Sequence, residues 1–401
     1  MDAGCGGTGE VRRLSVLVVH NHYQQAGGED AAVEAEVTLL RRHGHRVIEF
    51  TRDNAEINAF GPLRRASLAV TATWDPRVLA EVRALVRQER PVVAHCHNLM
   101  PLISPAVYYA CRSEGVPVVQ TLHNFRLRCP AGTMFRDGRA CNDCDRNAAY
   151  GVIQGCYRQS RTQTAIVAAT LGVHRWAGTF QHAVDAFSAP SIFCVETLAA
   201  AGIPRKKMTV RSNFLAEDPG KRHTTGDHAI FVGRLCEEKG VRRLVKAWKR
   251  LPHVPLLIVG DGPLREELER IAPANIRFAG ALPRKHAISK IKGARFLVFP
   301  SIAYETFGMV VLEAAACGVP TVGSRLGAIP ELVDDGCTGL LFDPDSADEL
   351  AETVAWAWTH PDDVSEMGHA ARRRYLERYT AEHGYASLMT LYASVGAAAR
   401  A

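Results

Sequence analysis

"LSVLVVHNHYQQAGGEDAAVEAEVTLLRRHGHRVIEF", Leu14 to Phe50, sets the architecture. It opens on a valine-rich apolar run of strand length and breaks at the polar loop 21–30. From Ala31 the apolar residues recur at helical spacing until Gly44, and a second apolar run, "RVIEF", follows at once. A strand apolar throughout, a crossover helix and another such strand make one unit of a parallel sheet covered on both faces. The rhythm returns at "PVVAHCHN" (Pro91 to Asn98) and "PVVQTLHN" (Pro117 to Asn124). A second round runs through "HAIFVGR", "PLLIVGDG", "IRFAG", "ARFLVFPS" and "PTVGSR". Between the rounds, Arg211 to His228 is polar and rich in turn formers, the composition of a linker. The expected fold is α/β, with two doubly wound Rossmann-like domains facing a central cleft. The expected segments are a Gly-rich disordered start (1–13), a first domain (14–215), a second (216–385) and a C-terminal helix and tail (386–401). Open parallel sheets bind ligands beyond the carboxyl ends of their strands, so chemistry is sought at the strand exits.

Composition narrows the function. A chain of 401 residues, 47% hydrophobic and 22% charged, is an ordinary globular protein, too long for one core. The net charge of +6 comes without a long Lys/Arg run. That argues against a nucleic-acid partner, while anionic phosphates would suit it. No apolar run reaches the ~20 residues of a membrane-spanning helix. The first residues lack a charged-then-apolar signal pattern, so a cytoplasmic chain is expected. In that compartment eleven cysteines imply reduced thiols or metal ligands rather than a disulfide framework.

The strand exits carry glycines and charges. Gly27 and Gly28 precede the first helix, where backbone can approach an anion at the helix N-terminus, or simply turn. "FVGRLCEEKG" sets Arg234 and Lys239 at the exit of the second round's first strand. Two such cations suit a diphosphate; a solvated pair is the alternative. Gly260 and Gly262 flank Asp261 in another loop built for close approach or a turn. In "YETFGMVVLEAAACGVP" (Tyr304 to Pro320), Glu305 lies at the mouth of an apolar helix and Glu313 about two turns inside it. Amides of Phe307, Gly308 and Met309 could face an anion there. A carboxylate at Glu313 must be paired with a cation or accept bonds from hydroxyls, such as those of a sugar or ribose.

Taken together these residues resemble the retaining GT-B glycosyltransferases of family four. Glu305 to Glu313 matches the family's E-x7-E signature, "GRLCEEKG" its G-R-x3-E-K-G segment, "GDGP" its glycine loop, and "LGAIPELV" (Leu326 to Val333) the stretch that follows. The resemblance runs from about Arg13 to the C-terminal helix. It implies a retaining hexosyltransferase using a nucleotide-diphosphate sugar, UDP or GDP, with a sugar, lipid-linked or small-molecule acceptor. It implies work in cell-surface polysaccharide, glycolipid or glycosylated-metabolite synthesis. By resemblance Arg234 and Lys239 hold the diphosphate, the Gly27–Gly28 loop closes over it, Glu305 grips the sugar and Glu313 the ribose. His123 matches the histidine the family places near the sugar; otherwise it is a strand-end histidine. Catalysis would need no metal cofactor, the departing diphosphate being stabilised by fixed cations. The rival reading is a nucleotide-sugar 2-epimerase of the same fold, which would lack the E-x7-E pair. A non-catalytic binder would not need every motif position, and a dehydrogenase would need G-x-G-x-x-G after the first strand.

Outside these motifs, Cys129, Cys141, Cys144 and Cys156 are spaced C-x11-C-x2-C-x11-C in a polar insertion. A structural four-thiolate zinc site, an unliganded thiol cluster, an iron–sulfur cluster and a redox disulfide are the readings. The insertion follows His123 and is expected on the acceptor side. "FGPLRRASLAV" mixes basic and apolar residues and reads either as solvated surface or as a peripheral contact with the inner face of a membrane.

Overall fold

A computed structural model describes residues 13–24, 27–145, 147 and 149–397. The disorder expected for the N-terminus, Arg13 apart, therefore lies outside the described residues, as does the end of the expected C-terminal tail.

The first parallel sheet contains β1 (Ser15–His22), β2 (Arg46–Asp53), β3 (Val93–Cys96) and β4 (Val118–Thr121). A two-stranded hairpin, β5 (Phe135–Arg136) with β6 (Arg139–Ala140), interrupts it before β7 (Ala186–Ala189) and β8 (Met208–Val210) complete it. Its order is β2-β1-β3-β4-β7-β8, with Ser15 opposite Arg46 and Val16 opposite Val93. The second sheet comprises β9 (Ala229–Val232), β10 (Leu256–Val259), β11 (Ile276–Gly280), β12 (Phe296–Phe299), β13 (Thr321–Ser324) and β14 (Gly339–Phe342). Its order is β11-β10-β9-β12-β13-β14, so the winding reverses between β9 and β12. The chain is thus α/β with two Rossmann-like parallel sheets.

Why these strands are apolar throughout is visible in β12. Phe296 and Val298 face one core with Trp248, Leu350 and Val354. Leu297 and Phe299 face the other, with Val311, Leu312 and Tyr375. Side chains alternate across a strand, so two covered faces demand an unbroken apolar run. Beside β1, Leu14, Val16 and Val18 pack on Val33, Val37 and Leu40 of the helix Gly28–Arg42. Leu388, Leu391 and Tyr392 of the helix Ala381–Ser394 join them.

By packing, the chain forms two compact units. One runs to Thr121 and takes in Gly178–Phe187 and the chain from Ser387 onward; the other is Leu122–Ala177 with Ser188–Ala386. These boundaries differ from a division near residue 215. The reason is that residues 122–177 make their loop contacts with the segment carrying Glu305, while the C-terminal helix packs on β1's side. Arg211 to His228 is irregular as expected, yet Arg211, Phe214 and Leu215 are buried, so this stretch is packed rather than free.

Candidate active site

The winding of the second sheet reverses between β9 and β12, and the exits of these two strands hold the charged motifs. After β9 the chain passes Arg234, makes a short 3-10 turn at Glu237–Lys239 and enters the helix Val241–Trp248 through Gly240. Gly240 has φ +68°, and a Cβ there would lie 1.8 Å from the Pro300 carbonyl oxygen. Only glycine lets the β9 loop press against the end of β12, and this brings Lys239 to Glu305. Lys239 Nζ donates to Glu305 Oε1 at 2.6 Å, and Ser301 Oγ donates to the same oxygen at 2.8 Å. The side chains are 28% and 17% exposed. Burial works to lower the Lys239 pKa, but the charge and hydrogen bond of Glu305 carry it above its ordinary value. Among the described residues nothing bonds Glu305 Oε2. Arg234 is exposed and has no carboxylate partner among the described residues.

The loop between β12 and the helix Met309–Ala316 is tied down at three points. Thr306 Oγ1 donates to the His123 carbonyl at 2.9 Å, Ser191 Oγ donates to the Thr306 carbonyl at 2.7 Å, and the Ala328 amide donates to the Glu305 carbonyl at 3.1 Å. So His123, Arg234, Lys239 and Glu305 share one unit, with His123 held to the Glu305 loop through its backbone. Gly308 caps the helix at φ +114°. The amides of the first turn have no acceptor within the helix, as at any helix start. The Phe307 ring is buried in the core, 6.1 Å from the Tyr379 ring, which leaves its backbone amide as the group that could meet an anion. Met309 is half-buried against the same core.

Glu313 is buried on this helix, and Arg284 Nε donates to its Oε1 at 2.7 Å. The cation pair anticipated as one reading is present. Burial raises the Glu313 pKa, and Arg284 only partly counters it. Glu313 Oε2 has no partner among the described residues.

The glycines separate into two kinds. A Cβ at Gly260 would lie 1.9 Å from the Gly233 carbonyl oxygen, and one at Gly262 would lie 2.5 Å from that of Leu235. The close approach read from "GDGP" is therefore made by the chain itself, the β9 and β10 loops packing backbone to backbone. Gly27 differs. It precedes the helix Gly28–Arg42 in extended conformation, its amide donates to Asp30 Oδ2 at 3.0 Å, and a Cβ would meet no described atom within 4 Å.

In the first unit the ends of β1 and β3 carry polar groups that the motif reading passed over. His20 Nε2 lies 2.9 Å from Asp30 Oδ1. His95 bonds Thr121 Oγ1 at 2.6 Å and the Tyr392 hydroxyl at 2.9 Å. Asn98 Nδ2 donates to the Asn21 carbonyl at 2.7 Å. Burial lowers the His20 pKa despite Asp30. The signal was legible: "HNH" and "HCHN" each end an apolar strand, where the winding of this sheet reverses. Glu331, within "LGAIPELV", accepts the Ile192 and Phe193 amides at 2.8 and 2.7 Å and caps the helix Ile192–Ala200.

Two sequence families match. Residues 226–360 fit "Glycosyl transferases group 1", and residues 26–218 fit "Glycosyltransferase Family 4". The chain belongs to the family 4 glycosyltransferases. A D-rhamnosyltransferase of Pseudomonas aeruginosa is 33% identical over 38% of this chain and 41% of its own. An alpha-maltose-1-phosphate synthase of Mycolicibacterium smegmatis is 35% identical over 42% of this chain and 48% of its own. The chain spans about half the length of the curated relatives it matches. Solved structures share the GT-B fold along nearly the whole chain. Anabaena HepE in complex with UDP and glucose has a TM-score of 0.67 at 17% identity, covering 95% of this chain and all of its own. Sucrose-phosphate synthase from Thermosynechococcus elongatus reaches 0.71 at 20% identity, covering 96% and 100%.

Proposed function

We propose that this family 4 chain is a retaining glycosyltransferase moving a hexose-type sugar from a UDP- or GDP-sugar to an acceptor hydroxyl. The observation that carries this is the arrangement of Lys239, Glu305 and Arg234 at the β9 and β12 exits. Glu305 uses one oxygen on Lys239 and Ser301 and keeps the other, an acceptor for sugar hydroxyls. Lys239 spends one of its three ammonium hydrogens on Glu305, leaving two for a phosphate. Arg234, exposed and unpaired among the described residues, adds a second cation for the charge that grows on the diphosphate as the sugar departs. Glu313 likewise keeps one oxygen, which suits a ribose hydroxyl. His123 stands on the same loop network as Glu305 and is the candidate for the sugar's far side.

The curated relatives are named transferases and synthases, and HepE was solved with UDP-glucose. Both support a nucleotide-sugar donor here, and a sugar, lipid-linked or small-molecule acceptor follows from the same reading. The first test is a thermal-shift screen of UDP-, GDP- and ADP-sugars, since a ligand at 100 times its dissociation constant adds about 2.7 kcal/mol. The stabilising donor is then offered with acceptors, and product anomers are read by NMR. Retained configuration supports the proposal. Inverted product, or epimerised donor without acceptor, overturns it.

Among the described residues, no helix is long and apolar enough to cross a membrane. A cytoplasmic enzyme with peripheral contact at the inner face is the finer reading. The helix Pro62–Thr71 buries none of its residues and leaves Leu63 and Val70 90% and 70% exposed beside Arg64 and Arg65. Flotation with anionic vesicles, lost in Leu63→Asp, tests it.

A further inference from the structure

Cys129, Cys141, Cys144 and Cys156 come from four different pieces of backbone. Cys129 closes a turn in which its amide donates to the Phe125 carbonyl at 2.8 Å. The β5–β6 hairpin, turned at Asp137 and Gly138 with φ of +52° and +73°, delivers Cys141, whose amide reaches the Met134 carbonyl at 2.7 Å. Cys144 sits in the 3-10 turn Asp143–Asp145, and Cys156 follows the short helix Ala149–Gln154. All four line one small cavity together with Met134, Phe135, Arg128 and Arg136. None is in a disulfide.

The cohesion of this insertion lacks an explanation from its apolar packing alone. Among the described residues from 129 to 156, Met134 is the one large buried hydrophobic side chain. A polar segment this poor in apolar burial needs a cross-link or a metal to hold a fixed shape. Arg128 and Arg136 also line the cavity, the first paired with Asp145 and the second with Asp137 and Asp143. Guanidinium groups there suit the net charge of −2 that a zinc ion with four thiolates would carry.

We propose that Cys129, Cys141, Cys144 and Cys156 bind one structural zinc ion that holds the insertion in shape. Binding replaces four S–H bonds with four Zn–S bonds and releases four protons to solvent, with no change of oxidation state. A closed four-thiolate shell leaves no position for water, so the ion acts as a staple. Its effect extends to neighbouring loops of the same unit. Asn142, between the paired cysteines, has its amide nitrogen 3.5 Å from the Tyr304 hydroxyl, one residue before Glu305. At the hairpin tip, a Cβ on Gly138 would sit 3.5 Å from Glu237 Oε1. The insertion is therefore placed against the loops of Lys239 and Glu305. The zinc site does not depend on the transferase reading.

The test is elemental analysis of the full chain, expressed in zinc-supplemented medium and purified under reducing conditions without chelator. One zinc per chain is expected, released in step with four thiols on titration with an organic mercurial. Cys144→Ser should lose the metal, whereas Cys337→Ser, an exposed cysteine elsewhere, should keep it. Stripping with phenanthroline should open proteolytic sites between residues 129 and 156, and added zinc should close them. Zinc far below one equivalent, with these four thiols freely reactive in the folded wild-type protein, overturns the proposal. So does iron with acid-labile sulfide, or a pair of disulfides by mass.

Discussion

Replacing Lys239 and Glu305 singly and together distinguishes a structural ion pair from a pair that works on the donor. Their atoms are 2.6 Å apart and each side chain is about three-quarters buried or more. At an effective dielectric constant of about 20, opposite charges at that distance attract by about 6 kcal/mol, most of it cancelled by the cost of taking both from water. Exposed pairs are worth ~0.2–1 kcal/mol, and breaking a fully buried pair costs ~3–5. The observed burial puts Lys239→Met or Glu305→Gln at about 2 kcal/mol each. The double variant removes both charges, so it should be about as stable as either single variant, a coupling of about 2 kcal/mol. Turnover should behave differently. Losing one charged contact to the transition state costs roughly 10²–10³ in kcat, and the double variant should be at least as slow as the worse single. Urea unfolding gives the stability cycle, and transfer with the donor found by the screen gives the kinetic one. If the double variant is markedly faster than either single variant, the two residues only hold each other. The donor role then fails.

Arg234→Ala should leave stability within ~0.5 kcal/mol, since nothing described bonds its guanidinium, yet lower kcat by at least about tenfold; parallel losses in melting temperature and kcat would make it structural. Gly27→Ala and Gly260→Ala should diverge. The first adds a Cβ that meets no described atom and should weaken donor affinity without loss of stability, whereas the second forces a Cβ to within 1.9 Å of a carbonyl at φ +143° and should cost ~3 kcal/mol or more. Equal stability of the two variants by urea unfolding contradicts the packing argument. Glu313 has a raised folded pKa, so the folded state holds its proton more tightly and this group's contribution to stability falls as pH rises through and beyond the ordinary carboxyl range. Glu313→Gln should therefore be more stable relative to wild type at pH 7 than near pH 4, read as melting temperature against pH, while binding nucleotide less tightly. An advantage that grows on acidification would reverse the assigned sign.

What could be read in advance depended on whether a residue's reason lies in its own segment. The strands of both rounds were legible because two covered faces require unbroken apolar runs, as in "FLVF" of β12. β7, β8 and β14 were not. "AFSA" and "GLLF" are four residues long with small or turn-forming members, and β8 exposes Thr209 and Val210. Charges directly after a strand were legible too, because the carboxyl ends of a parallel sheet lie along one edge. Partners reached through a second loop were not. Arg284 stands 29 positions before Glu313, Asn142 is 162 from Tyr304, and no periodicity links them. The glycines show the limit most clearly. A glycine after a strand says that something comes close to the backbone, but spacing does not say what. At Gly260 it is the Gly233 carbonyl, at Gly240 it is Pro300, and at Gly27 no described atom comes within 4 Å of the position a Cβ would take. Gly260 and Gly240 are therefore accounted for by the chain's own backbone, and neither needs a ligand to explain it. The packing is silent on Gly27, so its assignment to the donor rests on the affinity measured for Gly27→Ala.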